Sequence, residues 1–192
     1  MSVKGKALAG FGGSDCTVHV LYPYMLISDP TLAAEKGASL IGHTGTVNAA
    51  DFSINGDWLL TAGDDLVVKL WDWRRRSNKM NISSRKGGRG ANASDATSYG
   101  LLKKSVTAGE LFNDPIVKSQ FYYLDQFVLT AASNKLFVHR LGIPCSSGDD
   151  KELCWHELAK MFPMSECKSV VEFSAINQFY SYLVLIACSD KS

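Results

Sequence analysis

Long apolar runs are missing from this 192-residue chain: the longest, Tyr182 to Cys188, has seven residues, whereas a membrane-spanning helix needs about 20. No membrane partner is expected. Closely spaced cysteine pairs are missing too. The five cysteines, at 16, 145, 154, 167 and 188, are odd in number and form no CxxC unit, which argues against a zinc ribbon or a redox dithiol and reads them as core or surface thiols. Cys154 and His156 lie close together, but no second pair stands at matching distance, so no metal site is expected there. From Met1 to Gly13 there is no apolar block followed by a small-residue cleavage site, so the expected compartment is reducing. The cytoplasm comes first and the nucleus second, because Arg74-Arg75-Arg76 with Lys79 is a loose match to an import signal. There is also no phosphate-cradling glycine loop, nucleophile elbow or carboxylate pair in a recognisable context. No catalytic residue and no cofactor are implied.

What is present is ordinary globular material, 46% apolar and 20% charged, too apolar for a disordered chain. The net charge of +1 conceals an asymmetry. Between Arg74 and Lys104, nine basic residues, Arg74, Arg75, Arg76, Lys79, Arg85, Lys86, Arg89, Lys103 and Lys104, face the single acid Asp95, so the segment carries +8 and the remainder −7. Ser83 to Ser94 is mostly Gly, Ser, Asn and Ala, the composition of a mobile loop. Such a loop could attract RNA or another polyanion through Arg74, Arg75, Arg76, Lys79, Arg85, Lys86 and Arg89, although only Tyr99 offers a stacking surface. Further along, Asp29-Pro30 at the front and Gly37 at the end predict a short helix over 28–37. The sequons at Asn81 and Asn92 read as coincidental without a secretory signal.

The informative segment is Ser39 to Trp73. Four short runs, Ser39–Ile41, Val47–Phe52, Trp58–Ala62 and Val67–Trp71, are separated by Gly42-His43, Asn55-Gly56-Asp57 and Gly63-Asp64-Asp65. Short β-prone runs divided by turn chemistry predict strands in hairpins. With Gly42-His43 at the front and Trp71-Asp72 at the end, the segment resembles a WD40 repeat. That resemblance implies an all-β fold, an incomplete β-propeller of about three to four blades, in which His43, Thr61, Asp65 and Trp71 form a buried hydrogen-bonded chain. A buried carboxylate is costly unless donors meet it, and a histidine, a hydroxyl and an indole N–H are such donors. His, Asp and hydroxyl also suggest a hydrolase triad, but Thr61 lies inside a strand instead of on an exposed turn.

Weaker copies flank the repeat. Leu8 to Leu21 places Asp15 at the Asp65 position and Leu21 at the Trp71 position; Val128 to Arg140 places Asn134 and Arg140 there; a fourth copy begins at Leu183. The expected layout is a partial blade over 1–42, a complete blade over 43–113 with the basic insertion 74–104, a degenerate blade over 114–162 and a truncated blade over 163–192. Because the insertion follows the third strand of its blade, it is expected on the face opposite His43 and Asp65. The stretches 119–127 and 174–182 also resemble one particular member of the family. Propellers close with about four to eight blades, so the missing ones are expected from a longer chain, and the fragment alone is expected to be poorly stable. The function implied is a non-catalytic scaffold for other proteins or peptides, with nucleic-acid association as the alternative.

Overall fold

The computed structural model of the chain describes residues 8–11, 15–22, 31, 37–73, 77–83, 112–143, 155–178 and 183–189. These build four antiparallel sheets. The first contains β1 (Leu8–Phe11), β2 (Val18–Leu21) and β3 (Ala38–Leu40); the second β4 (Val47–Phe52), β5 (Trp58–Gly63), β6 (Val67–Asp72) and β7 (Ser77–Ser83). The third contains β8 (Ile116–Tyr122), β9 (Phe127–Ala132), β10 (Lys135–Gly142) and β11 (Trp155–Pro163), and the fourth β12 (Val170–Ala175) and β13 (Val184–Cys188). Every sheet is a meander, each strand paired with the next in sequence. The helix expected over 28–37 falls outside the described residues apart from Thr31 and Gly37.

The meander forms because turns reverse the chain where the sequence supplies them. At the β4–β5 connection Gly56 adopts φ +69° and its N–H donates to the Ser53 carbonyl at 2.8 Å. Gly63 closes the next hairpin where a Cβ would come within 1.9 Å of the Thr46 carbonyl oxygen, so a side chain there would displace backbone.

No sheet buries its own faces. The apolar core is three seams between neighbouring sheets: Val18, Val20 and Leu40 meet Leu59, Trp71 and Trp73; Leu60, Val68, Leu70 and Ile82 meet Phe121, Val128 and Phe137; Leu129, Ala131 and Leu136 meet Val170 and Phe173. This explains why β5 and β9 read as continuous apolar runs: Leu59 faces one seam and Leu60 the other, as do Val128 and Leu129.

The inner strands β4, β8 and β12 run side by side and are stitched through side chains. Asp51 Oδ2 accepts the Phe121 N–H at 2.8 Å. In the same register of the next sheet, Gln120 Nε2 donates to the Ala175 carbonyl at 2.7 Å and its Oε1 accepts the Ala175 N–H at 3.4 Å. Asn48 Nδ2 donates to the Ile116 carbonyl at 3.0 Å, and Lys118 pairs with Glu172.

Three expectations are corrected. First, Ser77–Ser83 is the fourth strand of the second sheet, paired with β6 from Val67↔Ser83 to Asp72↔Ser77. The basic segment 74–104 is thus not one insertion between third and fourth strands. β7 ends at Ser83, opposite Val67 and so at the Asp65 end of the sheet, the other end from the one expected for the insertion; residues 84–104 lie outside the described residues. Sequence periodicity missed β7 because Ser77-Asn78-Lys79-Met80-Asn81-Ile82-Ser83 has few apolar residues, and its pairing with β6 supplies the order. Second, Cys167 and Cys188 form a disulfide, with Cα atoms 5.6 Å apart. The reading of all five cysteines as thiols failed because these two are 21 residues apart in sequence and meet only when β12 and β13 pair. Third, the β9–β10 turn is one residue shorter than the β5–β6 turn. Trp71 pairs with Leu59, two residues before Thr61, and the corresponding Val128 pairs with His139. His139, not Arg140, holds the tryptophan position.

Two buried groups give the fold opposed pH responses. Burial, with the Asp125 charge adding to it, pushes Asp51 up to about 6 against the Phe121 and Phe52 N–H groups and the Lys118 ammonium, which lower it. Stability from this group is therefore full below about 3.8 and lost as pH rises through about 6. Burial, with the charge of His156, depresses His139 to about 3, so its contribution is full above 6.5 and lost as pH falls. Asp51→Asn keeps an acceptor for Phe121 without the charge. Urea unfolding at pH 7.5 is expected to show the variant more stable by roughly 1–2 kcal/mol after allowance for solvent screening. Between pH 6 and 4 it should lose stability more steeply than wild type; parallel pH profiles would refute this account.

Candidate functional site

His43 precedes β4, Thr61 lies in β5, Asp65 in the β5–β6 turn and Trp71 in β6, and the structure brings all four together. The Trp71 Nε1–H donates to Thr61 Oγ1 at 2.8 Å. Thr61 Oγ1 stands 2.7 Å from His43 Nε2, and His43 Nδ1 2.7 Å from Asp65 Oδ2. Donors and acceptors alternate along the chain when His43 carries its proton on Nδ1: indole to hydroxyl, hydroxyl to imidazole, imidazole to carboxylate. Asp65 is completed by the Thr44 N–H on Oδ2 at 3.2 Å and the Val67 N–H on Oδ1 at 3.3 Å. Burial pushes the Asp65 carboxyl up, but the His43 hydrogen bond and charge, with those two N–H groups, outweigh it and hold the carboxyl below its ordinary value.

Local sequence explains the assembly. The Gly42 position leaves room for the indole, since a Cβ would sit 3.1 Å from Trp71 Cη2. The glycine before His43 and the tryptophan at the end of β6 are therefore one packing unit. Thr61 has no solvent exposure and both its neighbours occupy its oxygen. Its hydroxyl is an internal junction, and the set presents no nucleophile to a substrate.

The third sheet lacks this chain. Thr130 bonds Ser119 Oγ at 3.0 Å instead, while His139 is fully buried with neither ring nitrogen partnered. Among the basic residues singled out for polyanion contact, Lys79 lies on β7, and Arg74, Arg75, Arg76, Arg85, Lys86 and Arg89 fall outside the described residues.

A surface that sequence reasoning missed lies at the opposite end of the array, where β4, β8 and β12 finish. Ile54, Leu124 and Ile176 follow those strands and are 53%, 41% and 58% exposed. Asp125 holds the three turns in line: its Oδ2 accepts the Ile54 N–H at 3.0 Å, its Oδ1 accepts Asn177 Nδ2 at 2.6 Å, and its own N–H donates to Asn177 Oδ1 at 3.1 Å. Burial raises the Asp125 carboxyl against the Asn177 and Ile54 hydrogen bonds. The signal was present as an apolar residue in each polar turn, but only sheet stacking brings the three turns to one end.

Residues 35–72 match the family model described as WD domain, G-beta repeat. Over 36 residues the chain is 56% identical to the probable cytosolic iron-sulfur protein assembly protein CIAO1 homolog of Schistosoma japonicum, covering 19% of this chain and 10% of that protein. The crystal structure of the Cps50 (Swd1) β-propeller domain of Myceliophteria thermophila superposes with a TM-score of 0.49 at 16% identity, covering 81% of this chain and 36% of that one. The chain thus spans a minority of the length of each protein it matches here. The described fold is a set of four antiparallel meander sheets, of which the stretch 35–72 matches a WD40 repeat. The likeness of 119–127 and 174–182 to WD repeat-containing protein 27 finds no support in these matches.

The hydrogen-bonded chain has a direct test. Thr61→Val preserves shape but strands the Trp71 N–H and His43 Nε2, an expected loss of about 2–4 kcal/mol by urea unfolding. Combined with Trp71→Phe, the double variant should lose less than the sum of the single losses by roughly 1 kcal/mol or more. Strict additivity would show that the hydroxyl and the indole do not act as a unit.

Proposed function

We propose that this chain is part of a non-catalytic scaffold that binds other proteins or peptides through the end of the array carrying Ile54, Leu124 and Ile176. The observation that carries this reading is the three exposed apolar residues in turns that share one end of the array and are tied together through Asp125. Exposed apolar side chains on a rigid, polar-rimmed surface suit an apolar segment of a protein partner. The repeat match supports the same class, because propeller-type sheets commonly present turns to partners, although fold alone does not set function. Blades needed to close a ring would come from further polypeptide, and the bound partner would meet the whole ring.

Proximity cross-linking from the full chain, compared with an Ile54→Asp/Leu124→Asp/Ile176→Asp variant of unchanged thermal stability, tests this. The reading expects a discrete set of proteins, at least tenfold depleted in the variant. Capture that is unchanged in the variant, or that vanishes on nuclease treatment, would overturn it; the second result would favour polyanion association through 74–104.

A further inference from the structure

We propose that His139 and His156 form a binding site for a borderline divalent transition-metal ion, of the zinc, copper or nickel class, at the seam between the second and third sheets. The pair lies on adjacent strands, with His139 opposite Leu158 and His156 opposite Leu141, and the ring centroids are 5.9 Å apart. Two imidazoles sharing a tetrahedral ion at about 2.1 Å from each nitrogen have centroids roughly 5–6 Å apart.

Hydrogen bonding points the same way. Neither nitrogen of His139 and not Nδ1 of His156 has a partner, although all three atoms are buried. Unpaired buried imidazole nitrogens are costly, and a metal ion would satisfy one on each ring. His156 also hydrogen-bonds the Asn81 backbone on β7, which leaves Nδ1 as the free nitrogen. A ring tethered at one nitrogen to a backbone carbonyl and open at the other is the arrangement that orients a histidine ligand.

Three further features fit. The β10–β11 pairing shifts register between Val138 and His139, and such bulges re-aim side chains. His139 is fully buried and His156 half-buried, an environment that disfavours the charged imidazolium, which cannot ligate. His156 is half-buried, which gives an ion a route from the rim. Among the described residues no third histidine, cysteine or carboxylate completes a cluster. Imidazole-only ligation favours zinc, copper or nickel over magnesium or calcium.

The test uses the full chain freed of metal by a chelator and titrated with Zn2+ and Cu2+ at pH 7.5 by calorimetry. One ion per chain at micromolar affinity is expected, and the Cu2+ spectrum should carry hyperfine structure from two imidazole nitrogens. His139→Phe and His156→Gln should each weaken binding at least tenfold, whereas His19→Gln, altering an exposed histidine beside Asp15, should leave it unchanged. Should His139→Phe fail to fold, the half-buried His156→Gln and the nitrogen count decide. Absence of saturable binding, equal binding by His156→Gln, or a spectrum with fewer than two nitrogens would overturn the proposal.

Discussion

The constraint on which the rest of this structure depends is that a meander sheet of this kind cannot cover its own faces. Each apolar cluster lies between two sheets, never within one, so no sheet is a folding unit by itself and stability resides in neighbour contacts. The inner strands add direction to this stacking. Asp51 and Gln120 occupy the same register in successive sheets, and each reaches a backbone group of the next, at Phe121 and Ala175. Apolar packing alone tolerates sliding between sheets. A side chain bonded to one particular amide does not. Where the last sheet turns away from the third, Leu185 is exposed, the same kind of face that is covered elsewhere.

Polar groups in the seams are handled in two ways. Beside the first sheet, indole, hydroxyl, imidazole and carboxylate are ordered so that every buried donor meets an acceptor, which turns costly groups into a rigid connection between the loop before β4 and the β5–β6 turn. The corresponding seam beside the second sheet has a histidine where the tryptophan stands and a hydroxyl pair where the junction stands. The first seam is closed by its own residues. The second keeps unsatisfied nitrogens at its outer edge, and that difference between otherwise similar sheets directs attention to it.

The two ends of the array differ in chemistry. One bears the buried His43 and Asp65 chain, beside which β7 ends; the other bears the exposed Ile54, Leu124 and Ile176 near a network centred on Asp125. In such an arrangement the inner strands fix the spacing, and the turns are free to vary without disturbing the core. That separation leaves the turns exposed without cost to the core, while the His, Asp and hydroxyl set is consumed by internal bonding.

The central repeat was legible in the sequence because its signals are local. Turn residues sit at Gly42-His43, Asn55-Gly56-Asp57 and Gly63-Asp64-Asp65, and the four members of the hydrogen-bonded chain stand at family spacing within 29 residues of one another. The sequence by itself thus determined that the described elements are strands in hairpins built around one strong repeat. Tertiary structure alone decided the rest, because it depended on pairing between distant or weakly patterned segments. Strand Ser77–Ser83 is too polar to declare itself and is ordered by β6. Cys167 meets Cys188 only through the β12–β13 hairpin. A turn shortened by one residue moves His139 into the tryptophan position, an offset that becomes visible only when Val128 is seen opposite it. Register is set by cross-strand hydrogen bonds, and those are a property of two strands together, never of either one alone.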